Sequence, residues 1–398
     1  MNLLYASFML EDTRVSGIIN KVVNQTSVFS KRFDNVYLYI SRHSEAVLYR
    51  VSEKSLSEIE TFKYKEIATS DKNSRIRRVR SYLWYNSFLK YLNKIVHSYK
   101  IDIVYFRFSL PSSKLLKIMR NKKLVRILEI PTYPYENEVK KLKGKIEYIF
   151  FWRYMASRLF SLMDNIVVIS GTNDIKEDSK FTLISNGIQL ENIKVKEHCQ
   201  KDHFVLLSVA SVAFWHGYDR VLRGMHDYYK NNPKREVYYN CVGDGPELEN
   251  LKKLARELKL EKFVIFHGTK TGEELDKIFD ESHIALGSLG NHRKGLNSDC
   301  ALKNREYCAR GIPFVIASSD QDFPKSFPYV FKIPSDESPV DINKVVEWYE
   351  KLIYSHPDYS IDMREYAEGH LSWDAKMKPV IEVIEQIALQ KKRIRSLD

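Results

Sequence analysis

The chain has four cysteines in 398 residues, Cys199, Cys241, Cys300 and Cys308, and no two stand in C-x-x-C spacing. That excludes a disulfide scaffold and a zinc-finger-type site, and the thiols read as reduced and partly buried. No stretch approaches the roughly 18 uninterrupted apolar residues that a membrane-crossing helix needs. The start, MNLLYASFMLEDTR, lacks a basic n-region and reads as a first strand, not a signal peptide. Internal repeats, low-complexity tracts and clusters of metal-ligating residues are also missing. Acidic residues are short in one half only. Residues 1–190 hold 32 Lys and Arg against 18 Asp and Glu, whereas 191–398 hold 31 against 33. The net charge of +12 therefore belongs to the first half. Such a half suits nucleic acid, an anionic membrane surface or a phosphorylated acceptor. No motif that reads RNA or DNA accompanies it, so the expected partners exclude nucleic acid.

What is present is a globular α/β chain. Apolar residues at 44% and aromatics at 13% exclude a disordered chain, and the length allows two or three domains. Strand-like and helical runs alternate, the pattern of a mostly parallel sheet. Leu3–Phe8, Val36–Ile40, Ile103–Phe106, Val125–Ile130 and Ile166–Ile169 read as strands of a first domain. Phe204–Val209, Val237–Val242, Val264–Phe266, Ile284–Leu286, Phe314–Ala317 and Tyr329–Lys332 serve a second. Leu248, Leu251, Leu254 and Leu258 place an amphipathic helix over Glu247–Leu260. A last helix spans about Trp373–Lys391, with Ser372 as its cap and Pro379 inside it. The expected division is 1–187, 188–372 and a tail at 373–398.

Two basic segments account for the charge of the first half. Arg75, Arg77, Arg78 and Arg80 open a helix with Leu83, Trp84, Phe88, Leu92 and Ile95 on its apolar face. Lys140, Lys141, Lys143 and Lys145 precede Ile149-Phe150-Phe151-Trp152. Cations beside aromatics mark contact with an anionic membrane surface. The competing reading packs the aromatics inward and leaves the charges solvated.

The densest chemistry lies over 284–317, IALGSLGNHRKGLNSDCALKNREYCARGIPFVIA. Two short apolar strands flank a basic glycine loop (Gly287, Gly290, Arg293, Lys294, Gly295) and a helix carrying Lys303, Arg305 and Glu306. Gly311 closes the helix and Pro313 follows it. In an open α/β sheet, ligands bind beyond the carboxyl ends of strands, at loops and helix N-termini. A basic loop feeding a helix with one Glu suits an anionic, hydroxyl-rich ligand such as a nucleotide sugar.

LKNREYCARGIPFV resembles the L-K-x-x-E-Y-x-A-x-G-x-P segment of retaining glycosyltransferases with the two-domain GT-B fold, family 4 in particular. Four further segments match in the same order: Ile184–Ile188, Leu207–Ala210 followed by His216-Gly217-Tyr218-Asp219, Val242-Gly243-Asp244-Gly245-Pro246-Glu247, and Val264–Gly268. The resemblance implies two Rossmann-like domains facing across a cleft, with a C-terminal helix crossing back to the first. It implies a cytoplasmic enzyme, peripheral on the inner membrane face, that moves a sugar from a UDP- or GDP-sugar to a glycan or polyprenyl-linked acceptor. The setting would be bacterial surface-polysaccharide assembly, with neither cofactor nor metal. A subunit of the same fold that binds without transfer is the alternative.

The resemblance also implies roles. Glu306 corresponds to the ribose-binding Glu, and Lys303, one turn earlier, reaches phosphate. Ser298 stands where the family has a first Glu contacting the donor sugar, so the charge is missing there. Catalytic roles thus fall to Glu306, Lys303 and Ser298. Donor contacts fall to Gly17, His216, Gly217, Arg220, Gly268, Arg293, Lys294, Leu302, Lys303 and Glu306. His216 replaces the Lys of a K-G-x-D turn, where the family places a phosphate cation. Gly17 lies in the position of the family's glycine loop. Acceptor contacts fall to Tyr133, Tyr135, Glu136 and Glu138, which follow the strand ending at Ile130. No general base is assigned, because in retaining GT-B enzymes the leaving diphosphate takes the acceptor proton.

Overall fold

The computed structural model describes residues 1–9, 15–42, 44–53, 55–65, 74–131, 146–170, 180–199, 201–233 and 235–395. The described residues fall into two compact units, Met1–Ser170 with Lys176–Ile184 and Lys376–Asp398, and Ser185–Ala375.

The first unit is built on an eight-stranded sheet: β1 (Asn2–Ser7), β2 (Asn35–Arg42), β3 (Glu45–Val51), β4 (Leu56–Lys63), β5 (Ile103–Arg107), β6 (Val125–Ile130), β7 (Asn165–Ile169) and β8 (Phe181–Ile184). Its order is β4-β3-β2-β1-β5-β6-β7-β8. β2, β1, β5, β6, β7 and β8 pair in parallel, while β3 and β4 add an antiparallel edge to β2. The five expected strands are all present. The hairpin β3–β4 and the short β8 were not expected. β4 reads LSEIETFK, so its polar alternation suits a solvated edge and carries no buried apolar run.

Helix α1 (Val15–Ser30), α2 (Ser74–Ser98), α3 (Ser113–Met119) and α4 (Ile146–Leu162) lie in this unit. In α2 the expected apolar face is only partly right. Phe88, Leu92 and Ile95 are buried and so is Trp84, which stacks on Tyr64 with the Arg80 guanidinium over its ring. Leu83 instead points outward with Val79 and Tyr82. The side chains of Arg75, Arg77, Arg78 and Trp152, and all of Lys140–Lys145, lie outside the described residues.

The second unit holds a wholly parallel six-stranded sheet of order β11-β10-β9-β12-β13-β14. The strands are β9 (Phe204–Val209), β10 (Val237–Val242), β11 (Val264–Gly268), β12 (Ile284–Leu286), β13 (Phe314–Ile316) and β14 (Val330–Lys332). Both faces are covered, as parallel sheets require. Leu206, Ile284 and Val315 belong to one core, and Leu207, Ala285 and Phe314 to the other. Successive side chains thus divide between two cores because strand residues alternate faces. The helices are α5 (Tyr218–Lys230), α6 (Leu248–Glu257), α7 (Gly272–Asp280), α8 (Leu302–Ala309), α9 (Ile342–Ser355) and α10 (Tyr359–Tyr366).

The last helix, α11 (Trp373–Arg395), opens on its expected cap, since the Ala375 N–H donates to Ser372 Oγ at 3.1 Å. From Lys376 on it belongs to the first unit. Arg32 pairs with Glu385 at 2.7 Å, and Lys391 reaches Asp164 at 2.6 Å and the Leu124 carbonyl. The expected return of the C-terminal helix to the first domain is therefore present. Among the described residues no helix is long and apolar enough to cross a membrane.

Candidate functional site

Two loops at the carboxyl ends of neighbouring strands β9 and β12 build the site of the second unit. Leu289 N–H donates to the His216 carbonyl at 2.8 Å and Gly290 N–H to the Trp215 carbonyl at 3.2 Å. The loops touch through two glycines. Gly217 sits at φ 66°, and a Cβ there would lie 2.8 Å from Gly290 N. A side chain at Gly217 would be strained and would push the loops apart.

Lys303, in the first turn of α8, is half-buried, and its Nζ donates to the Tyr218 hydroxyl at 3.2 Å. Its ammonium also lies 5.6 Å from the centre of that ring. Burial lowers the Lys303 pKa to about 7, outweighing the attraction of Asp299. His216 is buried and stacks on Tyr218, with ring centres 5.4 Å apart. Its Nδ1 accepts the Ala213 N–H at 3.1 Å. Burial, and then Lys303 and Lys294, lower its pKa to about 3. The imidazole is therefore neutral with its proton on Nε2, a hydrogen-bond donor, so His216 does not supply the positive charge that the family places at this turn. Lys294 lies 4.9 Å over the Trp215 ring.

Three expected donor contacts are engaged elsewhere. Arg220 is fully buried, and its guanidinium donates to the carbonyls of Leu289, Pro334 (3.0 Å) and Ser338 (2.7 Å). It ties the loop after β12 to the loop after β14 and is not aimed at a ligand. Arg293 forks onto Asp219, at 2.9 Å through each nitrogen, and bonds Glu337 at 2.6 Å. Glu337 is held at a pKa of about 2 chiefly by that bond. Glu306 is half-buried and accepts from Arg310 Nε at 2.9 Å, while Arg310 also holds Asp276 at 2.6 Å.

Ser298 is fixed through backbone bridging to Ser319, and the adjacent Asp299 accepts from Asn291 Nδ2 at 2.9 Å. Leu302, the first residue of α8, is exposed. Gly268 lies at φ 66° with open space where a side chain would stand, and its carbonyl accepts the Gly243 N–H at 2.7 Å. Gly17 belongs to the first unit, in the first turn of α1. Tyr133, Tyr135, Glu136 and Glu138 lie outside the described residues.

Behind this surface Arg305 is wholly buried. It pairs with Asp320 through both terminal nitrogens and with Asp322, and donates to the Asn186 carbonyl at 3.3 Å. Sequence reading missed Tyr218, whose hydroxyl receives Lys303. It stood inside the His216–Asp219 motif, but only the fold brings it beside a residue 85 positions away.

The described residues contain no group of three or more His, Cys, Asp or Glu able to hold a metal ion. What the site offers is two lysine ammonium groups, Lys303 and Lys294, a neutral N–H donor at His216, a helix N-terminus and, one turn along α8, the Glu306 carboxylate. That set suits the diphosphate and ribose of a nucleotide.

The two units have the GT-B architecture. Residues 190–325 match the family described as Glycosyl transferases group 1, so the resemblance carried by the sequence motifs holds over that stretch. The chain is similar in fold to the glycosyltransferase from Rickettsia africae ESF-5, with 12% identity, a TM-score of 0.64, and 97% of this chain and 98% of that one covered. Anabaena Alr3699/HepE in complex with UDP matches at 10% identity and a TM-score of 0.61, covering 99% and 100%. The lipopolysaccharide outer core galactosyltransferase WaaB in its apo form matches at 14% and 0.57, covering 97% and 99%. No curated relative matches the chain.

Proposed function

We propose that the chain is a retaining glycosyltransferase that moves a sugar from a UDP- or GDP-sugar to a glycan or polyprenyl-linked acceptor in surface-polysaccharide assembly. The reading rests on one observation, the cluster of His216, Tyr218 and Lys303 around the carboxyl ends of β9 and β12, with the half-buried Glu306 one turn beyond Lys303 on α8. Protonated Lys303, the His216 Nε2–H and the free N–H groups opening α8 meet the diphosphate oxygens. Glu306 accepts from the ribose hydroxyls. The acceptor oxygen bonds to the anomeric carbon as the bond to the diphosphate breaks, and the leaving phosphate oxygen takes the acceptor proton on the same face. Lys303 and the N–H donors offset the charge that builds on the leaving group, with no divalent metal required. The placement is cytoplasmic, at the inner membrane face. That UDP is seen bound to Anabaena Alr3699/HepE supports the choice of donor class.

Incubation with a panel of UDP- and GDP-sugars, read by thermal shift and then by donor turnover in excess EDTA, tests this. The expected outcome is a rise in melting temperature with one donor, and EDTA-resistant turnover. Loss of turnover in EDTA with rescue by Mg²⁺ contradicts it. A shift without turnover on any acceptor favours the alternative motivated by Ser298 and neutral His216, a binding subunit that has lost transfer.

A further inference from the structure

The first unit carries a second polar cluster at the carboxyl edge of its sheet. Ser7 ends β1, Arg107 ends β5, and Glu129 is the penultimate residue of β6. Ser7 pairs in register with Arg107, and Arg107 with Glu129, so all three side chains share one face. Glu129 is wholly buried. It accepts from the hydroxyls of Tyr5 at 3.3 Å and Tyr105 at 2.9 Å, from Gln25 Nε2 at 2.9 Å, and from Arg107.

This network is lopsided. The neutral donors converge on Glu129 Oε2, with the Tyr5 hydroxyl shared with Gln25 Oε1 at 3.1 Å, and one Arg107 nitrogen serves Oε1. Arg107 gives it one nitrogen and keeps its planar fork of remaining N–H donors. Among the described residues, the buried polar atoms without a partner include Ser7 Oγ but no nitrogen of Arg107. The Arg107 side chain is 11% exposed, and its guanidinium also faces the Tyr5 hydroxyl. Ser7 itself is 1% exposed, so its unpartnered hydroxyl carries a standing cost, one strand over from its register partner Arg107. A buried hydroxyl without a partner next to an incompletely used arginine is a pair waiting for an acceptor group.

We propose that Ser7 and Arg107 bind an anionic group of the acceptor, a phosphate or a carboxylate, with Glu129 as the residue that holds Arg107 in position. The proposal rests on the glycosyltransferase reading for the word acceptor, but the anion site stands on first-unit residues alone. The positive surplus of residues 1–190 favours such a ligand. A phosphate comes from a lipid-linked intermediate and a carboxylate from an acidic sugar.

The test titrates the full chain with inorganic phosphate and, separately, with glucuronate, by calorimetry in the presence of saturating UDP. Wild type should bind at least one of them saturably. Ser7→Ala should weaken that binding by about threefold to tenfold, the loss of one hydrogen bond. Its melting temperature should hold or rise, because an unsatisfied buried hydroxyl is removed. Arg107→Lys keeps the charge beside Glu129 but loses the fork, and should weaken binding by about tenfold or more. A loss confined to phosphate assigns a lipid-linked source, and a loss confined to glucuronate an acidic sugar. If Arg107→Lys does not fold, Ser7→Ala decides alone. Wild type without saturable binding of either probe, or unchanged binding in Ser7→Ala, overturns the proposal. UDP binding is measured first, so its failure sinks the donor-site reading separately, and the anion titrations are then compared without UDP.

Discussion

Lys303 donates to the Tyr218 hydroxyl at 3.2 Å, and that contact joins the first turn of α8 to the first residue of α5. The ammonium thereby stands at the meeting point of two strand–loop–helix units, poised near neutrality with a pKa of about 7.

Nucleotide binding should therefore take up a proton. Above about pH 7 the free site is mostly neutral at Lys303, and an arriving diphosphate favours the charged form. UDP affinity should be greatest at low pH and fall as pH rises through 7. Calorimetry at pH 7.5 in two buffers of different ionisation enthalpy should show net proton uptake, which Lys303→Met should remove. The same group opposes folding at low pH. The unfolded chain holds this proton up to about 10.5, so stability should rise with pH between about 7 and 10.5. Lys303→Met should then stabilise the protein more at pH 6 than at pH 10.

Glu306→Ala should weaken UDP binding by about 1.5–3 kcal/mol, the range for hydrogen bonds to a charged group. The fold should survive, because Arg310 keeps its bond to Asp276 at 2.6 Å. Unchanged affinity would remove Glu306 from the nucleotide site.

Arg305→Ala should damage the fold itself. It removes the guanidinium that faces Asp320 and Asp322 in the interior. Burial already raises the Asp320 pKa despite Arg305. Breaking a buried pair from one side costs about 3–5 kcal/mol. Urea denaturation should show that loss, whereas a change below about 1 kcal/mol would mean that the site repacks.

The membrane-surface proposal has fewer exposed aromatics behind it than the sequence offered. Val79, Tyr82 and Leu83 on α2 and Tyr154 on α4 are exposed, while Trp84 is not. Replacing Val79, Tyr82 and Leu83 by Ser should reduce sedimentation with anionic liposomes and leave UDP binding intact. Binding of wild type to neither anionic nor neutral liposomes would assign the basic surplus to another partner.

Much of the second unit was legible because its signals are local. The runs of β9 to β14 are short, apolar and bounded by turns, and the Gly311 stop and Ser372 cap act within a few residues. The segment that carries Lys303 and Glu306 was visible for the same reason. The hairpin β3–β4 was not, because a polar edge strand resembles a loop until its neighbour β2 is in place. The roles of the cations were illegible for a different reason. A sequence shows that Arg220, Arg293 and Lys303 are basic, but not what faces them. Arg220 meets carbonyls 69 to 118 residues away, and Arg293 meets Asp219 across 74. Likewise the sequence shows that His216 replaces a Lys, but not the burial that lowers its pKa. Composition, strand periodicity and turn residues by themselves determined an α/β chain built on mostly parallel sheets. Which charges stay free to meet a ligand was decided by tertiary structure alone, because pairing and desolvation are properties of neighbours that the chain brings together only when folded.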